Sequence, residues 1–300
     1  VIEVEIVGLR SNPSYRQRRF GAEVRKLRER AGLSVTEAAE LVGTRQSHLS
    51  NAEAGRTSLS RERLRRLADA VTGIGDTYID ALVELDQGAS GGWWDSYRNR
   101  VRPSLLDIAD LESRAERLLI YEPMFIPVHL QTAAYATAGF RGGYARVSPQ
   151  EQDLDIEFRM RRRQAMEGGA PPHFHAVIHE AALHATFGDR SIMREQLAFL
   201  IEGSRRPNVT IQILPFDGPV AFGTSFTLAV PAEVELSTVV VGHVEKSLYL
   251  GDSDSLSRYN QWFASLSDRA LPPVDASVQP EAHRVKDSLG LIQRILYSLL

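Results

Sequence analysis

Between residues 45 and 56 the chain carries Arg45, Gln46, Ser47, Ser50, Asn51 and Arg56, side chains of the types that hydrogen-bond base edges and phosphates of double-stranded DNA. At helical spacing they fall outward from Leu49 and Ala52, which face inward. A second grouping, His173, His175, His179, Glu180 and His184, brings imidazoles near a carboxylate, the chemistry of a zinc site. The spacing argues against a helical zinc hydrolase: from His179 to His184 is five residues, about 140° off one helical face, where four are needed. On a strand His173, His175 and His179 share a face with Val177, and a half-exposed strand face is the preferred reading. His48, His129, His243 and His283 lie far apart, and no Ser-His-Asp order, Gly-rich phosphate loop or carboxylate pair stands out. No catalytic residue, metal or cofactor is assigned.

The elements that would position the first set are short helices. Ser34 with Glu37 is a capping box, so a helix starts there with Ala38, Ala39 and Val42 inward, and Gly43 stops it. A second helix is expected from about Arg45 to Ala54, capped by Thr44 or starting a residue early. Phe20, Val24 and Leu27 stripe a preceding helix; Leu64, Leu67, Ala68 and Val71 stripe a following one. Tyr78, Ile79, Leu82 and Leu85 mark a fifth, Asp76 to Gln87. This predicts an all-α domain over 15–87, after an extension, 1–14, whose Val1 to Val7 alternate as a short strand. Over 15–71 thirteen basic residues stand against seven acidic ones, while the whole chain carries −3. The basic excess sits on the bundle that would meet DNA. Arg61, Arg63, Arg65 and Arg66 read as a solvated helix face.

With Gln46-Ser47 and the ending Asn51-Ala52-Glu53-Ala54-Gly55-Arg56, the bundle resembles the Xre or lambda-repressor-like (Cro/cI) helix-turn-helix family. That resemblance implies five helices, the third of them in the major groove. Val35 departs from it, standing where many members have a phosphate-holding Gln, and Arg45 stands where many have a capping Ser.

Three hundred residues at 43% hydrophobic suffice for two domains. Residues 88–92 have linker composition. Beyond them, 93–270 reads as a mixed α/β (α+β) regulatory domain, with a tail, 271–300. Its helices are expected near Pro103 to Arg117, Gln131 to Ala138, Pro149 to Glu167, Glu180 to Phe187, Ser191 to Arg205 and Ser253 to Leu266. Its strands are expected at Leu118 to Tyr121, Phe174 to His179, Val209 to Leu214, Ser225 to Val230, Ser237 to Val244 and Ser247 to Leu250. The run Arg159-Met160-Arg161-Arg162-Arg163 reads as another solvated face. A tail helix from about Glu281 has an apolar stripe, Leu289, Ile292, Ile295, Leu296 and Leu299, that must pack on its own domain or on a partner, and the expectation is that it holds a homodimer. Zero cysteines exclude disulfides and thiolate metal sites, and no segment reads as a signal peptide or membrane span, so a cytoplasmic protein away from the membrane is expected. The first residue is Val, from an alternative start or a trimmed chain. Three lysines against 32 arginines reflect a GC-rich genome rather than site chemistry.

The second region also carries an ordered series: Gly92-Trp93-Trp94, Tyr121-Glu122-Pro123, Ile126-Pro127 with Leu130-Gln131-Thr132 and Tyr135-Ala136, Glu180 to Leu183, Pro207 to Phe216, Phe226-Thr227-Leu228 and Leu248-Tyr249-Leu250. It resembles the C-terminal domain of unknown function found behind Xre-type helix-turn-helices in actinobacterial antitoxin-like transcriptional regulators. The resemblance implies a regulator, often encoded beside a small acidic partner protein, with no established catalysis. Trp93, Trp94 and Tyr97, and Tyr121, Phe125 and Tyr135, are the candidates for lining a small-molecule ligand pocket, against the commoner role of aromatics as core. The expected function is a DNA-binding transcriptional regulator receiving a partner-protein or small-ligand signal. The alternatives are an antitoxin-like protein that mainly sequesters a small partner, and a zinc-dependent hydrolase.

Overall fold

Serine starts three of the first five helices. In the computed structural model, which describes residues 9–87, 92–142, 148–164, 170–217, 223–242, 247–277 and 286–300, Ser14 and Ser34 form capping boxes at α1 (Tyr15–Arg30) and α2 (Val35–Leu41), and Ser60 caps α4 (Arg61–Asp69). With α3 (Gln46–Glu53) and α5 (Asp76–Gln87) these helices enclose Phe20, Val24, Leu27, Leu49, Leu64 and Ile79, all buried. The N-cap of α3 is Arg45, with no side-chain hydrogen bond, so Thr44 does not cap it. The expected strand Val1 to Val7 and most of the linker lie outside the described residues. The chain divides into compact units at Val1–Asp95 and Ser96–Leu300, slightly beyond the boundary expected at the tryptophans.

The second unit is built on a six-stranded mixed sheet in the order β3-β2-β1-β4-β5-β6. Its strands are β1 (Arg117–Glu122), β2 (His173–His179), β3 (Val209–Leu214), β4 (Phe226–Val230), β5 (Thr238–Val241) and β6 (Leu248–Leu250). β1 pairs in parallel with β2, and β2 with β3; the remaining pairings are antiparallel. The helices are α6 (Pro103–Arg114), α7 (Ala133–Arg141), α8 (Pro149–Arg163), α9 (Glu180–His184), α10 (Arg190–Gly203), α11 (Ser253–Arg269) and α12 (Ser288–Ser298). An N-terminal helical domain followed by an α+β domain is the expected fold class.

Alternation along the strands separates two cores. Leu118 and Ile120 face α10 and α12 with Phe174, Ile178 and Ile211, while Tyr121 faces α11 with Val177, Leu228 and Phe263. Several expected helices are shorter or shifted. The fourth ends at His184 rather than Phe187, and residues 165–169, which would have extended α8 to Glu167, lie outside the described residues.

Two expectations are corrected. The arginine run at the end of α8 is no solvated face. Arg162 is buried and donates from Nε and Nη2 to both oxygens of Glu112 at 2.9 and 2.5 Å. Arg159, Arg161 and Arg163 lie over the rings of Phe140, Tyr97 and Phe199. The terminal helix, in turn, packs on its own domain: Leu289, Leu291, Ile292 and Ile295 are buried in the α10-side core, and the Ser288 hydroxyl accepts the Ile213 amide at 2.9 Å. Leu271 and Val274 of the tail also donate their amides to Ile213 and Ile211, so the described parts of the tail, 271–277 and 286–300, are continuous with the domain. The stripe that suggested a dimer contact is spent on the sheet. Ile292→Ala is therefore expected to destabilise the second unit by roughly 2–5 kcal/mol, as for a buried aliphatic truncation. Urea unfolding would read this, and an unchanged midpoint would mean that the helix is dispensable to the core.

Candidate nucleic-acid interface

The α3 side chains stand on a helix whose inner face is fully used. Leu49 and Ala52 are wholly buried, and so, to within a few per cent, are Ala38, Ala39 and Val42 of α2 and its end. Two features hold α3 against α1. Arg28 clamps Glu53, donating from Nε to Oε1 at 2.6 Å and from Nη2 to Oε2 at 3.2 Å, while Nη1 reaches the Leu33 carbonyl at 3.0 Å. That fork is a charge-assisted, bidentate contact. The hydrogen bond to Glu53 holds the Arg28 guanidinium above its ordinary range. The second feature is close backbone approach: a Cβ at Gly21 would sit 2.4 Å from the Glu53 carbonyl oxygen, and one at Gly55 would sit 2.5 Å from that of Gln17.

With the inner face locked, Arg45, Gln46 and Ser47 are exposed, Ser50 and Asn51 are half-buried, and Arg56 is exposed just beyond the helix. All are carried by α3 and its two ends. Gln46 donates from Nε2 to Ser50 Oγ at 3.2 Å, and Asn51 donates from Nδ2 to the Ser47 carbonyl at 2.9 Å. Each amide is thus aimed by a neighbour on the same helix and keeps its oxygen for a further donor. Arg45 and Arg56 make no ion pair among the described residues. The segment bearing Arg56 is fixed by Arg10, which donates to Asp86 and Ser58 and whose amide bonds the Arg56 carbonyl at 2.9 Å. Sequence reasoning missed Arg10, Arg28, Gly21 and Gly55 as determinants of the surface; the spacing of glycines alone does not announce a helix crossing.

The remaining basic residues behave differently. Arg61 pairs with Asp80 at 2.6 Å, Arg65 with Asp69 and Asp76, and Arg66 with Glu62. Much of the local positive charge is therefore neutralised by α5 and by α4 itself. His48, half-buried on α3, is pushed below its usual range by burial and by Arg63, which favours its neutral form.

The described histidines of the second unit do not converge on a metal site. His175 Nε2 lies 2.6 Å from Gln212 Oε1, His179 Nδ1 accepts the Ala181 amide, and His184 pairs with Glu180 across one helical turn. Among the described residues no group of three or more His, Asp or Glu is placed to hold a metal. The expected pocket aromatics divide as well. Trp93 and Trp94 meet edge to face, Tyr97 donates to Glu157 and packs on Phe158, and Tyr121 lies in the α11-side core. Phe125 and Tyr135 both touch Phe187, on the other side of the sheet from Tyr121. Five are buried or half-buried and only Phe125 is exposed, so they do not form one pocket.

Comparisons with known proteins agree with this division. Comparison with curated proteins and with solved structures finds no match. No described helix is long and apolar enough to cross a membrane. Residues 19–82 match a helix-turn-helix domain family. Residues 105–278, more than half of the chain, match the domain of unknown function DUF5753, and the chain belongs to that family.

Proposed function

We propose that this protein is a non-enzymatic, sequence-specific transcriptional regulator of the Xre (Cro/cI) type. In this reading α3 enters the major groove of double-stranded DNA, and the DUF5753 domain receives a protein or small-molecule signal. The observation that carries the reading is a helix with its inner face fully buried and braced, presenting aimed amides between two arginines that make no ion pair among the described residues. Gln46, Ser47, Ser50 and Asn51 take the base-reading positions, and Arg45 and Arg56 contact phosphates. A homodimer would set two copies of α3 about one DNA turn apart, and a signal that disfavours that spacing would weaken DNA binding reciprocally. With the tail helix spent on its own core, the dimer contact must lie on another surface. An antitoxin-like role, sequestering a small acidic partner encoded nearby, is the alternative use of the second domain.

Selected binding sites, recovered from random DNA by the full-length protein, would define the operator. On it, Gln46→Ala is expected to lose roughly 1–3 kcal/mol of specific binding while nonspecific affinity holds. Arg56→Ala should weaken binding to every sequence and reduce the salt slope by about 0.9. Recovery of no preferred sequence would remove the regulator reading and leave partner sequestration.

A further inference from the structure

The arginine run that seemed a solvated face borders a cavity of about 150 Å³ in the second unit, between α6, the end of β1, α8 and the strands β4 and β5. Its apolar wall comes from Ile108, Leu111, Val128 and Val240, and Ser225 and Thr227 contribute hydroxyl-bearing residues. Three ionisable side chains line it: Glu112, Glu122 and Arg162. Two of these are committed to each other, since Arg162 occupies both oxygens of Glu112, whose Oε1 also lies 3.2 Å from His129 Nε2. Glu122 is different. It continues the inward row Leu118-Ile120 to the end of β1, is half-buried, and its side chain makes no hydrogen bond or ion pair among the described residues.

A carboxylate in such a place is disfavoured, because burial strips its hydration. Arg159 and Arg162 of α8 act on it from a distance, and Tyr121 and Tyr135 are the other titratable neighbours. Burial still outweighs the arginines and pushes Glu122 up to about 8, which favours the neutral carboxyl near pH 7. The cation in the lining, Arg162, is already paired with Glu112, so an anion would find no free partner among the lining side chains. A ligand bearing its own positive charge would supply what the carboxylate lacks.

We infer that this cavity is a binding site for a small organic cation, a primary ammonium on a short apolar body, held by an ion pair to Glu122 with the body against Ile108, Leu111 and Val128. The size fits, since a cavity of about 150 Å³ accommodates a molecule of benzene's dimensions. Binding at neutral pH moves the Glu122 proton to solvent and leaves the ammonium paired with the carboxylate. As the signal site of a regulator it rests on the reading above; as a binding site it does not, and the test contains no DNA.

The test is calorimetric titration of the full chain at pH 7 with n-butylammonium, 1-butanol and butyrate. Butylammonium is expected to saturate one site per chain, at least tenfold tighter than 1-butanol, with butyrate weakest. Its heat should vary with the ionisation enthalpy of the buffer, as proton release requires. Glu122→Gln should abolish the preference for the ammonium. Thr227→Ile, which fills the cavity and leaves the carboxyl in place, should abolish binding of both butylammonium and 1-butanol, and it carries the test if Glu122→Gln does not fold. Absence of saturable butylammonium binding, equal affinity for 1-butanol, tighter butyrate, or undiminished binding in either folded variant would overturn the assignment.

Discussion

Gly55→Ala is expected to unfold a large share of the N-terminal unit at temperatures where the parent protein is intact. Gly55 sits at φ +73°, a backbone conformation that L side chains rarely adopt, and its added Cβ would meet the Gln17 carbonyl oxygen and carbon at 2.5 and 2.7 Å. The left-handed conformation alone costs roughly 1–2 kcal/mol for a side-chain-bearing residue. Forcing an atom against a packed helix adds about 1–3 kcal/mol, and here the opposing atoms are backbone and cannot rotate away. Gly32 provides the control, with φ +70° and nothing within 4 Å of a Cβ. Gly32→Ala should show only the conformational part. The measurement is thermal unfolding of both variants followed by far-ultraviolet circular dichroism, together with binding to the selected operator. If the two variants lost equal stability, the close crossing of α1 and α3 would not be a determinant of the recognition surface.

The second large effect is expected from Glu112→Gln. Breaking a buried ion pair leaves the surviving charge uncompensated, and losses of about 3–5 kcal/mol follow from removing one partner. Arg162 would be that survivor, buried beneath α6 with its fork unmet. Burial pushes the Glu112 carboxyl up, but Arg162 and then His129 outweigh it and hold the group at about 2. Its unfolded value is near 4.3. Because the folded value is the lower, the stabilisation is fully present above about pH 4.5 and fades as pH falls toward 2. The difference corresponds to about 3 kcal/mol. Urea unfolding of the parent across that range should show the decline, and Glu112→Gln should show a weaker one from a lower starting stability. Combining Glu112→Gln with Arg162→Met should recover part of the loss, since no buried charge is then left alone. A double variant as unstable as the single one would mean that packing, not charge, sets the penalty.

The N-terminal bundle was readable because its determinants are local. Ser34 and Glu37 are three residues apart, and the inward positions Leu49 and Ala52 lie within one short helix, so periodicity and capping suffice. The second unit's strands were readable singly, from β-branched runs, yet their order was not: β1 sits centrally because it pairs with β2 and with β4, far apart in the chain. The arginines of α8 were misread for the same reason. A helical wheel of that segment cannot reveal that Arg162 meets Glu112 fifty residues away. In the tail, an apolar stripe suits a partner and its own core equally, and the deciding contact, Ser288 to Ile213, joins positions 75 apart. The pocket aromatics illustrate strand parity. Tyr121 attracted attention as an aromatic, but its neighbour Glu122 is the one on the cavity face.

The placement of β1 and α12 has a consequence for biosynthesis. A ribosome releases the N-terminal bundle first, and its short-range contacts let it fold while translation continues. The second unit has no such option, because its central strand is made early and must wait for β4, while α12, the helix closing its α10-side core, is made only after every strand of the sheet described above. Until then β1 offers unpaired strand edge and the sheet an uncovered apolar face, the surfaces that chaperones capture and that aggregation exploits. A premature stop shortly before Ser288 would thus yield a folded bundle tethered to an incomplete sheet.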